Sequence, residues 1–171
     1  FDNYATLVYA DNSIKLTLDK DTNTYFTIAA QGGTEWGNAS NAITSANLGN
    51  INSNFAGAQA VFNHRWFNVS FGYENVWGPA DAFGHGAIVS PYTYNENVDP
   101  MYANSWMTGL VQKASSGQMY NITTTFSFLE NTLSVAPAYS QILNTVGQQA
   151  NSSLGSSNPD QEFDLVFNYK V

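Results

Sequence analysis

His85, Ser90 and Asp99 are the residue types of a hydrolytic triad, in which an imidazole oriented by a carboxylate activates a hydroxyl. No Gly-x-Ser-x-Gly elbow surrounds the serine, and all three fall in one Gly/Pro-rich stretch with no rigid element to fix their geometry. The chain is therefore expected not to be an enzyme. Metal chemistry is equally thin. His64 and His85 with scattered carboxylates make no zinc constellation, and Asp81, Glu96 and Asp99 lack the ordered spacing of a calcium loop. The absence of cysteine removes thiol catalysis, thiolate metal sites and disulfides. No metal and no cofactor is expected.

Composition narrows the choice further. The chain has 171 residues, enough for one domain, and only 11% are charged, against about 25% in an ordinary soluble domain. Aromatics make up 15%, and the polar character comes from amides and hydroxyls. A net charge of −8 with five scattered cations, Lys15, Lys20, Arg65, Lys113 and Lys170, argues against nucleic acid as a partner. No continuous apolar stretch approaches the ~18–20 residues of a membrane-spanning helix, and Phe1-Asp2-Asn3-Tyr4 does not resemble the start of a signal peptide.

The elements that would position functional side chains are strands. Helical periodicity is hard to find, whereas alternation with period two recurs. In Gly117–Phe128, Tyr120, Ile122, Thr124, Phe126 and Phe128 fall on one face, and Asn121, Thr123, Thr125 and Ser127 on the other. Similar patterns run over Phe163–Val171, Phe67–Glu74 and Ile14–Asp19, with weaker ones over Asn3–Ala10, Ala56–Asn63 and Thr132–Leu143. Seven strands are predicted.

Short turns are expected at Asp11-Asn12, His64-Arg65-Trp66 and Leu129-Glu130-Asn131, and long loops over Asp21–Phe55, Gly78–Ser116 and Asn144–Gln161, with a small strand at Tyr25–Ala30 inside the first. Strict alternation of short and long connections puts all turns on one side of an antiparallel sheet and all loops on the other. Outer-membrane barrels are built this way, with strands of about 9–11 residues. The predicted class is thus all-β, an antiparallel transmembrane β-barrel.

In such a barrel one face of each strand meets lipid and the other lines the water path. Lys15, Asp19, Gln59, Asn63, Asn68, Glu74, Asn121, Thr123, Thr125, Ser134, Ser140, Asp164, Asn168 and Lys170 are the candidate pore-lining residues. Phe62, Trp66, Phe67, Phe71, Tyr73, Tyr120, Phe126, Phe128, Phe167 and Tyr169 are the candidate lipid-facing and girdle residues, where an amphipathic ring suits an interface. Asp21, Glu35, Asp81, Glu96, Asp99, Asp160 and Glu162 against Lys113 would give the outer mouth a negative field and a weak cation preference. His64, beside Arg65 and Trp66, suits a polar anchor at lipid headgroups, and His85 a loop residue packed into the barrel mouth. Pro137 lies on the outward face of a central-looking strand, where a local bulge would accommodate it.

Gly78-Pro-Ala-Asp-Ala-Phe-Gly84, Ala87-Ile-Val-Ser-Pro-Tyr-Thr93, Asp99-Pro-Met-Tyr-Ala-Asn-Ser-Trp-Met-Thr-Gly-Leu-Val111, Met119-Tyr120 and Phe126-Ser-Phe-Leu-Glu-Asn-Thr-Leu133 resemble the last third of OprD-type outer-membrane porins. The resemblance covers residues 56–171 by motif and 1–55 by architecture. It implies an eighteen-stranded barrel, monomeric or a homotrimer, that passes amino acids, small organic acids or similar small hydrophilic solutes through a side-chain-lined eyelet. Outer-membrane lipid and the barrel-assembly machinery would be its partners, and the bacterial outer membrane its place. Residues 1–171 would then be about seven C-terminal strands of one barrel domain, with the N-terminal strands absent from this chain. The ending Tyr169-Lys170-Val171 departs from the family's final aromatic. The alternative is a secreted all-β carbohydrate-binding or adhesive module with Trp36, Trp77 and Trp106 as stacking platforms.

Overall fold

The computed structural model describes residues 5–37, 50–88, 101–103, 115–129, 132–146 and 160–170. Seven strands form one antiparallel sheet in sequence order: β1 (Thr6–Asp19), β2 (Thr24–Gly37), β3 (Ile51–His64), β4 (Phe67–Trp77), β5 (Ser116–Phe128), β6 (Leu133–Val146) and β7 (Asp160–Tyr169). The sheet is not closed, and β1 and β7 are its two edges. The strands are 10 to 14 residues long, or about 34–48 Å at ~3.4 Å per residue. Among the described residues the helical content is one 3-10 turn, Phe83–His85, and no helix is long and apolar enough to cross a membrane.

The number of strands matches the sequence pattern, but the first two are divided differently. Asp11-Asn12 is not a turn: β1 runs straight through it, pairing Asp11 with Gln31 and Asn12 with Ala30. The reversal lies at residues 20–23. There Asp19 accepts from the Asp21 N–H at 2.9 Å and the Thr22 hydroxyl at 2.7 Å, and Asn23 takes a left-handed φ of 50°. The stretch 21–55 is accordingly not one long loop. It contains all of β2, of which Tyr25–Ala30 is only the first half, and the start of β3. Ala29, Ala30, Gly32 and Gly33 give β2 weak strand propensity, and pairing with β1 on one side and β3 on the other supplies the ladder that composition alone does not.

Short connections still follow β1, β3 and β5, and long ones β2, β4 and β6, so the two rims of the sheet remain distinct. The turn rim is stitched sideways. The Arg65 N–H donates to the Thr22 carbonyl (3.1 Å), that of Ser127 to Trp66 (2.7 Å), and that of Lys170 to Thr132 (2.9 Å). At Pro137 no bulge is needed. The β5–β6 register is the same from Thr123↔Ala138 to Phe126↔Val135, and Pro137 pairs with Leu165 of β7. Its missing donor therefore costs the ladder locally without shifting it. The register shift in that ladder falls elsewhere, between Ser116 and Gln118.

Directly opposed residues of an antiparallel pair share a face, so the six ladders sort every strand side chain onto one of two faces. One row runs Ile14, Ile28, Ala60, Phe71, Ile122, Tyr139, Phe163; the adjacent row on the other face runs Ser13, Ala29, Gln59, Gly72, Asn121, Ser140, Glu162. The first face is apolar and open. Ile14 is 65% exposed, Phe163 71% and Phe167 65%. The buried cluster of Phe55, Val76, Met119 and Ile142 sits on the second face, at its loop end, where Ile88, Met101 and Ala103 from the β4–β5 connection cover it. The usual polarity of a half-buried sheet is inverted: greasy side chains are outside, and the covered face carries the charges.

Candidate functional site

The polar face is the candidate site. Lys15, Gln59, Asn63, Asn68, Glu74, Asn121, Thr123, Thr125, Ser134, Ser140, Asp164 and Asn168 all lie on it by register. Lys170 follows β7 at the turn rim, where its backbone pairs with Thr132. Asp19 is a correction: a bulge between Thr17 and Asp19 puts it at the end of β1, and its carboxylate serves the turn. Phe62, Phe67, Phe71, Tyr73, Tyr120, Phe126, Phe128, Phe167 and Tyr169 lie on the opposite face, and Trp66 in the β3–β4 turn stacks on Phe126 at 5.9 Å. Near the turns Phe62, Trp66 and Phe67 form a contiguous aromatic cluster, with ring centroids 5.4–5.8 Å apart.

Charge is divided between the faces of the ladders with one exception, at the turn end of β1. Asp11, Lys15, Glu35, Glu74, Glu162 and Asp164 are on the polar face; Asp19, paired with Thr24 beyond the bulge at the turn end of β1, falls on the apolar side, where its carboxylate serves the turn. Five of the six on the polar face are acidic, so that face carries a negative potential.

The two halves of the polar face differ. Toward the turns Asn63, Asn68, Thr123, Thr125 and Ser134 leave an amide-and-hydroxyl surface that is part exposed. Lys15 lies there too, with its ammonium 3.6 Å from the Tyr25 ring centroid. Toward the loops the face is packed. Glu35 is fully buried and accepts from the Ser53 hydroxyl at 3.4 Å; Glu74 is 1% exposed and accepts from Gln31 Nε2 at 2.7 Å. Gly57, the ladder partner of Glu74, makes this possible, because a Cβ there would overlap the Glu74 carboxylate.

A chain of hydrogen bonds continues from Glu74 across the sheet. Gln31 Oε1 lies 3.1 Å from the Tyr9 hydroxyl, which donates to Asp11 Oδ2 at 2.8 Å. Asp11 Oδ1 accepts from the hydroxyl of Tyr102 at 2.7 Å. Tyr102 belongs to the β4–β5 connection yet reaches β1, and its backbone rests over Gly72, where a Cβ would overlap its carbonyl. Loss of water around Tyr102 chiefly, and then its hydrogen bond to Asp11, raise its phenol above the ordinary tyrosine range; the charges of Asp11, Tyr9 and Glu74 act in the same direction.

Other expectations fall differently. Asp21 lies in the β1–β2 turn and Glu35 inside β2, so neither belongs to a loop at the outer mouth. Glu162 is within β7, Asp160 begins that strand, and Asp81 is exposed in the β4–β5 connection. Ser90, Glu96, Asp99, Trp106 and Lys113 lie outside the described residues, as do residues 1–4, 130 and 131. His64 Nδ1 is 2.8 Å from the Thr24 hydroxyl, which ties the first two turns together. His85 lines an open cleft of about 280 Å³ with Trp77, Ala80 and Gln118 at the loop rim. Among the described residues no group of His, Asp and Glu is arranged to hold a metal.

Sequence reasoning missed Tyr9, Asp11, Gln31 and Tyr102 as one connected set. Asp11 looked like half of a turn, and contacts 91 residues apart leave no local trace. Asp19-Lys20-Asp21-Thr22-Asn23 was the available signal, since it is richer in turn-forming side chains than Asp11-Asn12. No protein-family model matches the chain, and no curated protein matches it.

Proposed function

We propose that the chain is the C-terminal section of an OprD-type porin of the bacterial outer membrane, which passes small hydrophilic solutes by diffusion with a weak preference for cations. One observation carries this reading: the confinement of ladder charge to one face, save for Asp19 at the turn end of β1, while the other face presents exposed Ile14, Phe71, Ile122, Leu165 and Phe167. Water solvates such a band poorly, whereas hydrocarbon solvates it well and penalises a charge within it by ~2–4 kcal/mol at the bilayer centre. The free edges of β1 and β7 fit the same reading, because lipid tolerates strands only when further strands pair with both edges and complete the circle. The acidic excess on the polar face, Asp11, Glu35, Glu74, Glu162 and Asp164 against Lys15, favours cations in the water path.

The test uses Trp36 and Trp77, both exposed on the apolar face near the loop rim. In liposomes containing brominated acyl chains their fluorescence is expected to be quenched, and the folded protein to require detergent outside a bilayer. In a potassium chloride gradient across a planar bilayer the reversal potential should have the sign of cation selectivity. A protein that stays monomeric in detergent-free buffer with unquenched tryptophans overturns the reading in favour of a secreted carbohydrate-binding or adhesive module.

A further inference from the structure

We infer that residues 101–103 form a strap seated across the polar face, that Asp11 is the positioning residue that locks it there, and that this lock sets the width of the water path. The inference rests on the porin reading for its consequence, though not for its geometry. Three independent contacts define the seat. Met101 and Ala103 are 8% and 2% exposed and pack with Phe55, Val76, Met119 and Ile142. Between them the Tyr102 backbone lies over Gly72 of β4, in the space that a side chain would fill. The Tyr102 hydroxyl then reaches Asp11 of β1, so the strap is tied to a strand three places away from the one that leads into it.

The apolar contacts alone would hold the strap near β3–β6. Its tie to β1 is polar and charge-assisted, the stronger class of hydrogen bond. Asp11 is itself fixed, because its other oxygen accepts from Tyr9, whose hydroxyl adjoins Gln31 and through it Glu74. The tie thus ends on an exposed carboxylate that is anchored through Tyr9 to the buried pair Gln31 and Glu74, and that anchor is what a lock on a constriction requires.

The experiment exploits the absence of natural cysteine. In the complete outer-membrane-folded protein, Ala103→Cys places a thiol under the strap, and Thr125→Cys places one on the same face near the turns. With Asp11 intact, Cys at 103 should react slowly with a small membrane-impermeant thiol reagent. Asp11→Ala and Tyr102→Phe should each raise that rate about ten-fold or more, the scale of losing one hydrogen bond to a charged group. Asp11→Asn, which keeps an acceptor, should restore part of the protection. Labelling at 125 should stay the same throughout, which excludes general unfolding. Single-channel conductance should rise with the labelling rate, and larger neutral polymers should enter the pore. Unchanged labelling at 103 in both Asp11→Ala and Tyr102→Phe overturns the strap. Absence of conductance in the parent protein overturns the porin reading instead, and the labelling series then still decides the strap.

Discussion

The two faces of the sheet are made by the same strands and differ in almost every property that side chains carry. On one, Ile14, Ile28, Phe71, Ile122, Leu165 and Phe167 stand exposed, and the ladder charge on that side is Asp19 at the turn end of β1. On the other, Glu35 and Glu74 are buried toward the loop end, where Met101 and Ala103 pack with Phe55, Val76, Met119 and Ile142. A protein that folds in water buries its apolar face and leaves its charges out. Here the docked connection covers the polar face and nothing in the described chain covers the apolar one. The proposed porin reading accounts for the difference by two solvents, hydrocarbon outside and a narrowed aqueous space inside.

Charge placement breaks or sharpens this contrast most strongly. Ile122 and Thr123 are neighbours on β5 that point to opposite faces. Ile122→Lys should destabilise the bilayer-inserted protein by about 2–4 kcal/mol, whereas Thr123→Lys should stay within about 0.5 kcal/mol. Urea unfolding from liposomes, followed by the heat-modifiable gel shift of folded barrels, measures both. Equal costs at the two positions would abolish the distinction between the faces.

A smaller effect is expected inside the covered half. Gly57→Ala should cost about 1–3 kcal/mol by overpacking, because the new methyl displaces the Glu74 carboxylate from its Gln31 partner. The same substitution at Gly32 of β2 meets the Phe55 carbonyl at 3.2 Å from the other face and should cost less. Equilibrium unfolding of the two variants side by side gives the difference.

The smallest effect is a pH dependence. The Tyr102 phenol is held above its ordinary value, first by loss of water and then by its hydrogen bond to Asp11, with Tyr9 and Glu74 adding negative charge nearby. A group raised on folding contributes stability that is complete below its unfolded pKa and is lost as pH rises through the folded one. The strap should therefore remain protected through pH ~10, where free tyrosine ionises, and loosen only at more alkaline pH. Labelling at Ala103→Cys across an alkaline series tests this, and Tyr102→Phe should flatten the response. Loosening that begins below the usual tyrosine range would contradict the tie.

Much of this architecture was legible because side-chain alternation is a local property. Residues such as Tyr120, Ile122 and Phe126 declare one face of β5, and Asn121, Thr123 and Thr125 the other, whatever the strand pairs with. β2 was obscured because its Ala and Gly residues carry little strand preference of their own, and its neighbours enforce its conformation. Asp11 was misread for the opposite reason: Asp-Asn is locally turn-like, and the ladder with Gln31 and Ala30 overrides it.

The sequence by itself determined that the chain is all-β and, in β3 to β7, which side chains share a face, since these follow from a period of two. Only the tertiary structure decided where the first reversal falls, that Glu35 and Glu74 are buried, and that Tyr102 meets Asp11 across 91 residues. Those outcomes depend on which strands become neighbours and on how a connection settles over glycines at 57 and 72, and neither is written in the pattern of any one segment.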